Sequence, residues 1–240
     1  MVQLKITLPQ IQSVLAGFVD TAGFLALQGL FTAHVTGNFV TLGASLVLGT
    51  SGAVAKLLAL PVFCLVIVVT RIVSFQLPRI GLSILPTMLA VKALLLAAGA
   101  VLAITLGPFP DGGTPEALVT GMVLVAAMAI QNAAHRIHYA TAPPTTLMTG
   151  STTQIMIDVA DLLRRVPAED RAAARARLAR LAPSVAAFAI GCAAGASLFA
   201  TLGMWCFVVP PLLALVSLTP PILRTVAPGP PPSPTQTRSR

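Results

Sequence analysis

The sequence predicts an all-α integral membrane protein with about six transmembrane helices, two short broken or re-entrant helices, and an inverted 3+3 repeat. Three observations lead there. Of 240 residues, 56% are hydrophobic and only 9% charged, and mean hydropathy is +0.89. A soluble domain carries roughly 25% charged residues to keep its surface wetted, so lipid is the expected solvent here. Basic residues gather in a few connections between apolar runs, as they do on the cytoplasmic side of a membrane. Finally, two apolar pieces are too short to cross.

The first run, 11–30, follows Lys5 and resembles a signal peptide in outline. Asp20 interrupts it and more apolar runs follow, so an uncleaved first helix is expected. Runs at 54–75, 82–106, 118–139, 184–202 and 205–223 complete the six, each near the ~20 residues a span needs. The pieces at 38–48 and 151–163 are on the order of 12 residues, or ~18 Å of helix.

The connections set the orientation. Arg164, Arg165, Arg171, Arg175, Arg177 and Arg180 place one link in the cytoplasm, and Arg71 and Arg79 do the same for 76–81. The link 107–115 has Asp111 and no basic residue, so it is expected outside. Arg224, Arg238 and Arg240 keep the C-terminus inside. From outside near Pro115 to inside at Arg164, the number of crossings must be odd. Residues 118–139 supply one, so 151–163 must return to the side it came from. The same logic applies to 38–48, with Lys5 inside and 49–53 outside. Each half then reads span, half-helix, span, span, and three crossings per half make the halves point in opposite directions.

Internal similarity agrees. Thr36-Gly37-Asn38 precedes Thr149-Gly150-Ser151 by 113 residues, and Asp20-Thr21-Ala22 precedes Asn132-Ala133-Ala134 by 112. The expected organisation is one transmembrane domain, 1–226, with repeats at about 8–107 and 116–224. Residues 168–181, rich in Arg and Ala, read equally as a helix along the headgroups or as a basic loop. The tail 227–240, with Pro228, Pro230, Pro231, Pro232 and Pro234, is expected to be disordered and cytoplasmic.

The net charge of +8 is therefore read as topology and not as nucleic-acid binding. Cys64, Cys192 and Cys206 sit in apolar runs without metal-ligand spacing, and read as small core hydrophobes. The sequence has no HExxH, GxSxG, Walker-type loop or GxGxxG. No enzyme activity, cofactor or metal is expected.

Several polar residues need a reason to lie in hydrocarbon, where an ionisable group costs at least ~2.5–3.5 kcal/mol. Ser13, Gly17, Asp20, Phe24 and Gln28 share one helical face, expected to point inward. Asp20 reads as a proton or solute site, or as a cap on a neighbouring helix end. Lys92 could pair with Asp20, snorkel to the headgroups, or serve transport. Gln131, His135 and His138 share one face of the fourth span, and Asn132, Arg136 and Tyr139 the next. Asp158 and Asp161 are expected to pair with Arg164 and Arg165. Gly191 and Gly195 form a GxxxG pair suited to close helix packing within the chain or in a homo-oligomer. Pro210-Pro211 should kink the last span, and Trp205 should mark the outer interface.

The run Gly17-Phe18-Val19-Asp20-Thr21-Ala22-Gly23-Phe24, with His34-Val35-Thr36-Gly37-Asn38, resembles the YoaK-type family of bacterial multi-pass membrane proteins. Gln131-Asn132 with Arg136, then Thr145-Thr146-Leu147-Met148-Thr149-Gly150, is similar to that family's second block. The resemblance implies about six spans and a place in the bacterial inner membrane, with no assigned function. It also implies an acidic residue where Lys92 stands.

Paired broken helices in an inverted repeat suggest a small secondary transporter or channel. The N-termini of the two short helices should converge near the midplane, where their partial positive charge favours a small anionic or polar solute. The expected solute-binding residues are Asp20, His34, Thr36, Gly37, Asn38, Gln131, Asn132, Thr149, Gly150 and Ser151. A non-transporting sensor, scaffold or lipid-binding protein is the alternative, with an intramembrane enzyme behind it. The expected partners are the bilayer and the solute.

Overall fold

A computed structural model describes residues 6–164, 167–223 and 225. The expectations for Lys5, Arg165, Arg224 and the tail 227–240 fall outside the described residues. The described residues form helices joined by turns and loops, without strands: α1 Leu8–Ala26, α2 Asn38–Leu48, α3 Ala53–Ser74, α4 Ile84–Leu106, α5 Pro115–His138, α6 Thr149–Leu163, α7 Ala168–Leu202, α8 Val209–Val216 and α9 Pro220–Leu223. Four helical stretches among them are long and apolar enough to cross a membrane: Ala53–Ser74, Ile84–Leu106, Pro115–His138 and Ala168–Val216. Large side chains such as Leu65, Val69, Leu94, Val101, Ile190 and Leu212 remain exposed on the bundle surface, which fits a membrane protein whose surface meets acyl chains.

Two short helices occur where breakers bracket the apolar pieces. Gly49 ends α2 in the left-handed region at φ 66°, a conformation open to glycine without strain. The helix α6 starts two residues earlier than expected, at Thr149. Three expectations are corrected. The Arg/Ala-rich stretch is neither a separate surface helix nor a loop; it runs unbroken into the following span as the 35-residue α7, through Pro183. Ala and Arg are strong helix formers, and one proline removes a single donor without ending so long a helix. The last span is not one kinked helix. A 3-10 segment, Gly203–Val208, leads into α8, with Pro210-Pro211 near its start, where a missing N–H costs least. The first helix stops at Ala26, which leaves Gln28 off the expected inward face; along that face Ser13, Gly17 and Asp20 are buried, while Phe24 and Gln28 are exposed.

The packing has a pattern. The helix α1 lies along α7, and α3 lies along α5; α2 packs on α3, and α6 on α7; α5 packs on α4, α1 touches α8, and α4 meets α8. The α1–α7 seam is close because glycines line it. A Cβ on Gly191 would stand 2.1 Å from the Val14 carbonyl oxygen, and one on Gly195 would stand 2.8 Å from that of Phe18. These two glycines meet α1 of the same chain.

Loop contacts define two ends of the bundle. At one, Gly112 N–H donates to Ser51 Oγ at 3.0 Å, Gln28 Nε2 donates to the Phe109 carbonyl at 2.9 Å, and Gly107 lies against Met204. At the other, Leu8 N–H donates to Thr225 Oγ1 at 2.9 Å, and Leu8, Leu89 and Tyr139 form a cluster with Leu218 and Ile222.

Candidate functional site

Beyond Ala26 the chain turns at Gln28 and Gly29, both with positive φ, and runs back along α1. Asp20 holds it there. Its Oδ1 accepts the N–H groups of Thr32 at 2.7 Å and Ala33 at 2.8 Å, and its Oδ2 accepts that of His34 at 3.2 Å. Three consecutive backbone donors are thereby satisfied by one carboxylate, a set of charge-assisted bonds. Asp20 lies six residues before the end of α1, so His34 sits about 9 Å back from that end at 1.5 Å per residue. Asn38 closes the turn, accepting from Phe31 N–H at 2.9 Å and donating to the Phe31 carbonyl at 2.8 Å. The helix α2 therefore starts within the depth of the bundle and leads out to Gly49.

At the end of α5 a second set of polar side chains holds the chain that follows. Asn132 lies six residues before the end of α5 and accepts from Thr146 Oγ1 at 2.9 Å. Gln131 Nε2 donates to the Gln12 carbonyl at 2.9 Å and to Thr145 Oγ1 at 3.3 Å. The stretch leading to α6 is thus drawn about 9 Å back along α5. His135 Nε2 meets the carbonyls of Ala142 and Pro143 at 3.2 and 3.1 Å and fixes the turn.

Lys92 neither pairs with Asp20 nor snorkels. It is fully buried, and its ammonium donates to Gln12 Oε1 and, at 3.3 Å, to Gln131 Oε1. The register of α4 sets it beside Gln12, eight residues or about 12 Å along α1 from Asp20. Asp158 likewise takes a different partner from the one expected. Arg177 of α7 donates to it at 2.6 Å, and that guanidinium holds its carboxyl below the usual range. Cys64 is exposed on α3, and only Cys206 is fully buried.

The expected solute residues fall in several places. Asp20 and His34 line a cavity of about 290 Å³ with Thr21, Phe188 and Cys192. Gly37 packs on Phe31 beside His34. Thr36 and Asn132 come together, in a cavity of about 310 Å³ between α3, α5 and the chain before α2, with Arg71, Arg136, Phe63 and Leu147. Gln131 belongs to the Lys92 cluster. Thr149 and Gly150 are exposed, Thr149 on a groove of α6 residues, and Ser151 is buried. No hydrogen bond among the described residues joins Thr149, Gly150 or Ser151 to the first half.

Two contributors escaped the sequence reading. In the sequence Arg71 is a topology signal alone, yet it lines the Thr36–Asn132 cavity and lies 4.2 Å from the centre of the Phe75 ring. Lys56, three residues into α3, is buried and donates to Ser45 Oγ at 2.6 Å and to the Ser51 carbonyl at 3.2 Å, stitching α2 to α3. A lysine opening an otherwise apolar run was the available signal.

Residues 10–219 match the family described as a protein of unknown function (DUF1275), and the chain belongs to that family. No curated protein and no solved structure matches the chain.

Proposed function

We propose that this DUF1275 protein is a small secondary transporter or channel for a small anionic or polar solute, acting in the cytoplasmic membrane with both termini inside. The observation that carries the reading is the cavity joining the halves. Thr36 comes from the chain before α2 and Asn132 from α5; Arg71 and Arg136 add two cations, and no acidic side chain among the described residues lines it. The remaining wall is apolar, as small-molecule sites generally are. Guanidinium groups recognise carboxylates through paired, charge-assisted bonds, so a carboxylate with a compact apolar body matches best.

The crossing scheme supports the same reading. The loops at Gly52, Gly112 and Gly107 share one end, and Leu8, Tyr139 and Thr225 share the other, which is the alternation that six crossings require. Exchanging α1–α4 for α5–α8 maps the contact α1–α7 onto α5–α3, α2–α3 onto α6–α7, and α4–α5 onto α8–α1. The two cavities correspond as well. Asp20, Leu25 and His34 of one stand 112 or 113 residues before Asn132, Ile137 and Leu147 of the other, and Phe63 and Ile67 stand 125 before Phe188 and Cys192. An inverted repeat with one re-entrant helix per half accounts for all of these pairings. The YoaK-type resemblance is the finer family reading that goes with it.

Single cysteines replacing Asp111 and Arg171, in a background lacking the native three, should react with an impermeant thiol reagent from opposite faces. Reaction of both from one face would overturn the crossing scheme. For transport, proteoliposomes assayed with a panel of small mono- and dicarboxylates should show uptake above protein-free liposomes. Arg136→Gln should lower it about tenfold or more, the value of a charge-assisted bond. Uptake indifferent to Arg136→Gln would count against this cavity as the route. The exposure of both arginines at a largely apolar wall also suits an anionic lipid held without transport, which would give no uptake.

A further inference from the structure

A third cavity, of about 420 Å³, lies where the start of α1, the turn after α5, the middle of α7 and Thr225 meet. It shares no residue with the Thr36–Asn132 cavity. Its wall is hydroxyl-rich: Thr7, Tyr139, Thr141, Ser184 and Thr225 line it, and among the described residues Arg180 is its one charged lining residue. Tyr139 is only 4% exposed, and its hydroxyl has no partner among the described residues. A buried donor left unmet marks a place where a further group can belong; Gln12 Nε2 and His138 Nε2 are the other buried side-chain atoms without a partner among the described residues, and neither residue lines this cavity.

The wall is fixed before any ligand arrives. His135 holds the carbonyls of Ala142 and Pro143 and meets the Tyr139 ring edge-on at 5.0 Å between centres. Thr225 accepts Leu8 N–H and donates to the Ile222 carbonyl at 2.7 Å, so its hydroxyl is spent on the frame. Thr7 caps α1, so Tyr139, Thr141 and Ser184 are the lining residues whose hydroxyls remain to be partnered, together with the Arg180 guanidinium. Among the described residues, one cation, several neutral donors and no carboxylate complement an oxyanion with several acceptor oxygens on a tetrahedral centre.

We infer that this cavity binds a phosphate group at the end of the bundle that carries the Arg-rich start of α7, from a free phosphate or from the head of an anionic phospholipid. It stands independently of the transport reading.

The chain contains one tyrosine and one tryptophan, Tyr139 and Trp205, so in Trp205→Phe protein tyrosine emission reports this cavity alone. In neutral detergent, inorganic phosphate should change that emission saturably. Arg180→Gln should weaken the response about tenfold or more, and Arg79→Gln, on the exposed link after α3, should leave it alone. In a second arm, the protein is placed in nanodiscs of phosphatidylcholine or phosphatidylglycerol. An Arg180-dependent change specific to phosphatidylglycerol, without a response to phosphate, assigns the lipid; a response to phosphate in phosphatidylcholine assigns the free ion. Should Arg180→Gln not fold, Ser184→Ala should weaken whichever response is seen. No response in either arm, or one unaffected by both substitutions, overturns the inference and leaves a water-filled cavity.

Discussion

Gly191→Ala should cost about 3 kcal/mol or more and leave little folded protein. Overpacking usually costs 1–3 kcal/mol because side chains can shift. Here the obstacle is main chain, the Val14 carbonyl oxygen at 2.1 Å from the new Cβ, with the Val14 Cα at 3.0 Å. The helices α1 and α7 would have to separate, and Gly17 shows that the seam is tight from the other side as well. A Cβ there would lie 2.2 Å from the Phe188 carbonyl oxygen. In a bilayer, where apolar surface gains little from leaving lipid, such close contact is a main source of helix association. Gly43→Ala is the control. That position, on exposed α2, has nothing within 4 Å, so the change should be neutral or stabilising by up to ~1 kcal/mol. Thermal melts of both variants in one detergent should separate them widely; matching melts would mean that α1 and α7 do not meet at Gly191.

Asp20→Ala should be nearly as severe. It strands three backbone donors, those of Thr32, Ala33 and His34, in the interior of the bundle. Each unsatisfied buried donor costs about 1–3 kcal/mol, so the loss should be about 3 kcal/mol or more. Asp20→Asn keeps one oxygen for Thr32 and Ala33 and sets an amide NH2 against the His34 N–H, so about 1–2 kcal/mol is expected. Asn132→Ala removes one bond from a hydroxyl and one to the Met128 carbonyl, which keeps its own helix bond, and should cost about 1 kcal/mol. The order of melting temperatures, Asp20→Ala lowest and Asn132→Ala highest, is the check. Equal melting of Asp20→Ala and the native protein would free the carboxylate for a solute.

The sequence carried much of this fold and less of its site. The bounds of α2 follow from Gly37 and Gly49, which bracket one apolar run. The close α1–α7 seam was foreshadowed by the spacing of Gly191 and Gly195. The continuity of α7 was hidden because Pro183 and the arginines look like punctuation, whereas helix propensity over 35 residues outweighs one missing donor. Asp20 was legible as a residue needing a partner. Its partners are main-chain N–H groups, which every residue type but proline supplies, so no motif records them. Lys92 finds Gln12 and Gln131 through the register of three helices, which counting crossings leaves open. The pairing of Thr36 with Asn132 in one cavity depends on how closely α3 approaches α5, a distance that emerges only from packing.

The central claim is that this cavity is a route and not a closed pocket, and Thr36 tests it without knowledge of the solute. In protein lacking Cys64, Cys192 and Cys206, Thr36→Cys would be treated with an impermeant thiol reagent in right-side-out and inside-out vesicles. A cavity that opens alternately to each face should let the reagent reach this position from both sides, with Arg136→Gln leaving that accessibility unchanged. Reaction from a single face, or from neither, would contradict the account and leave a binding pocket in its place.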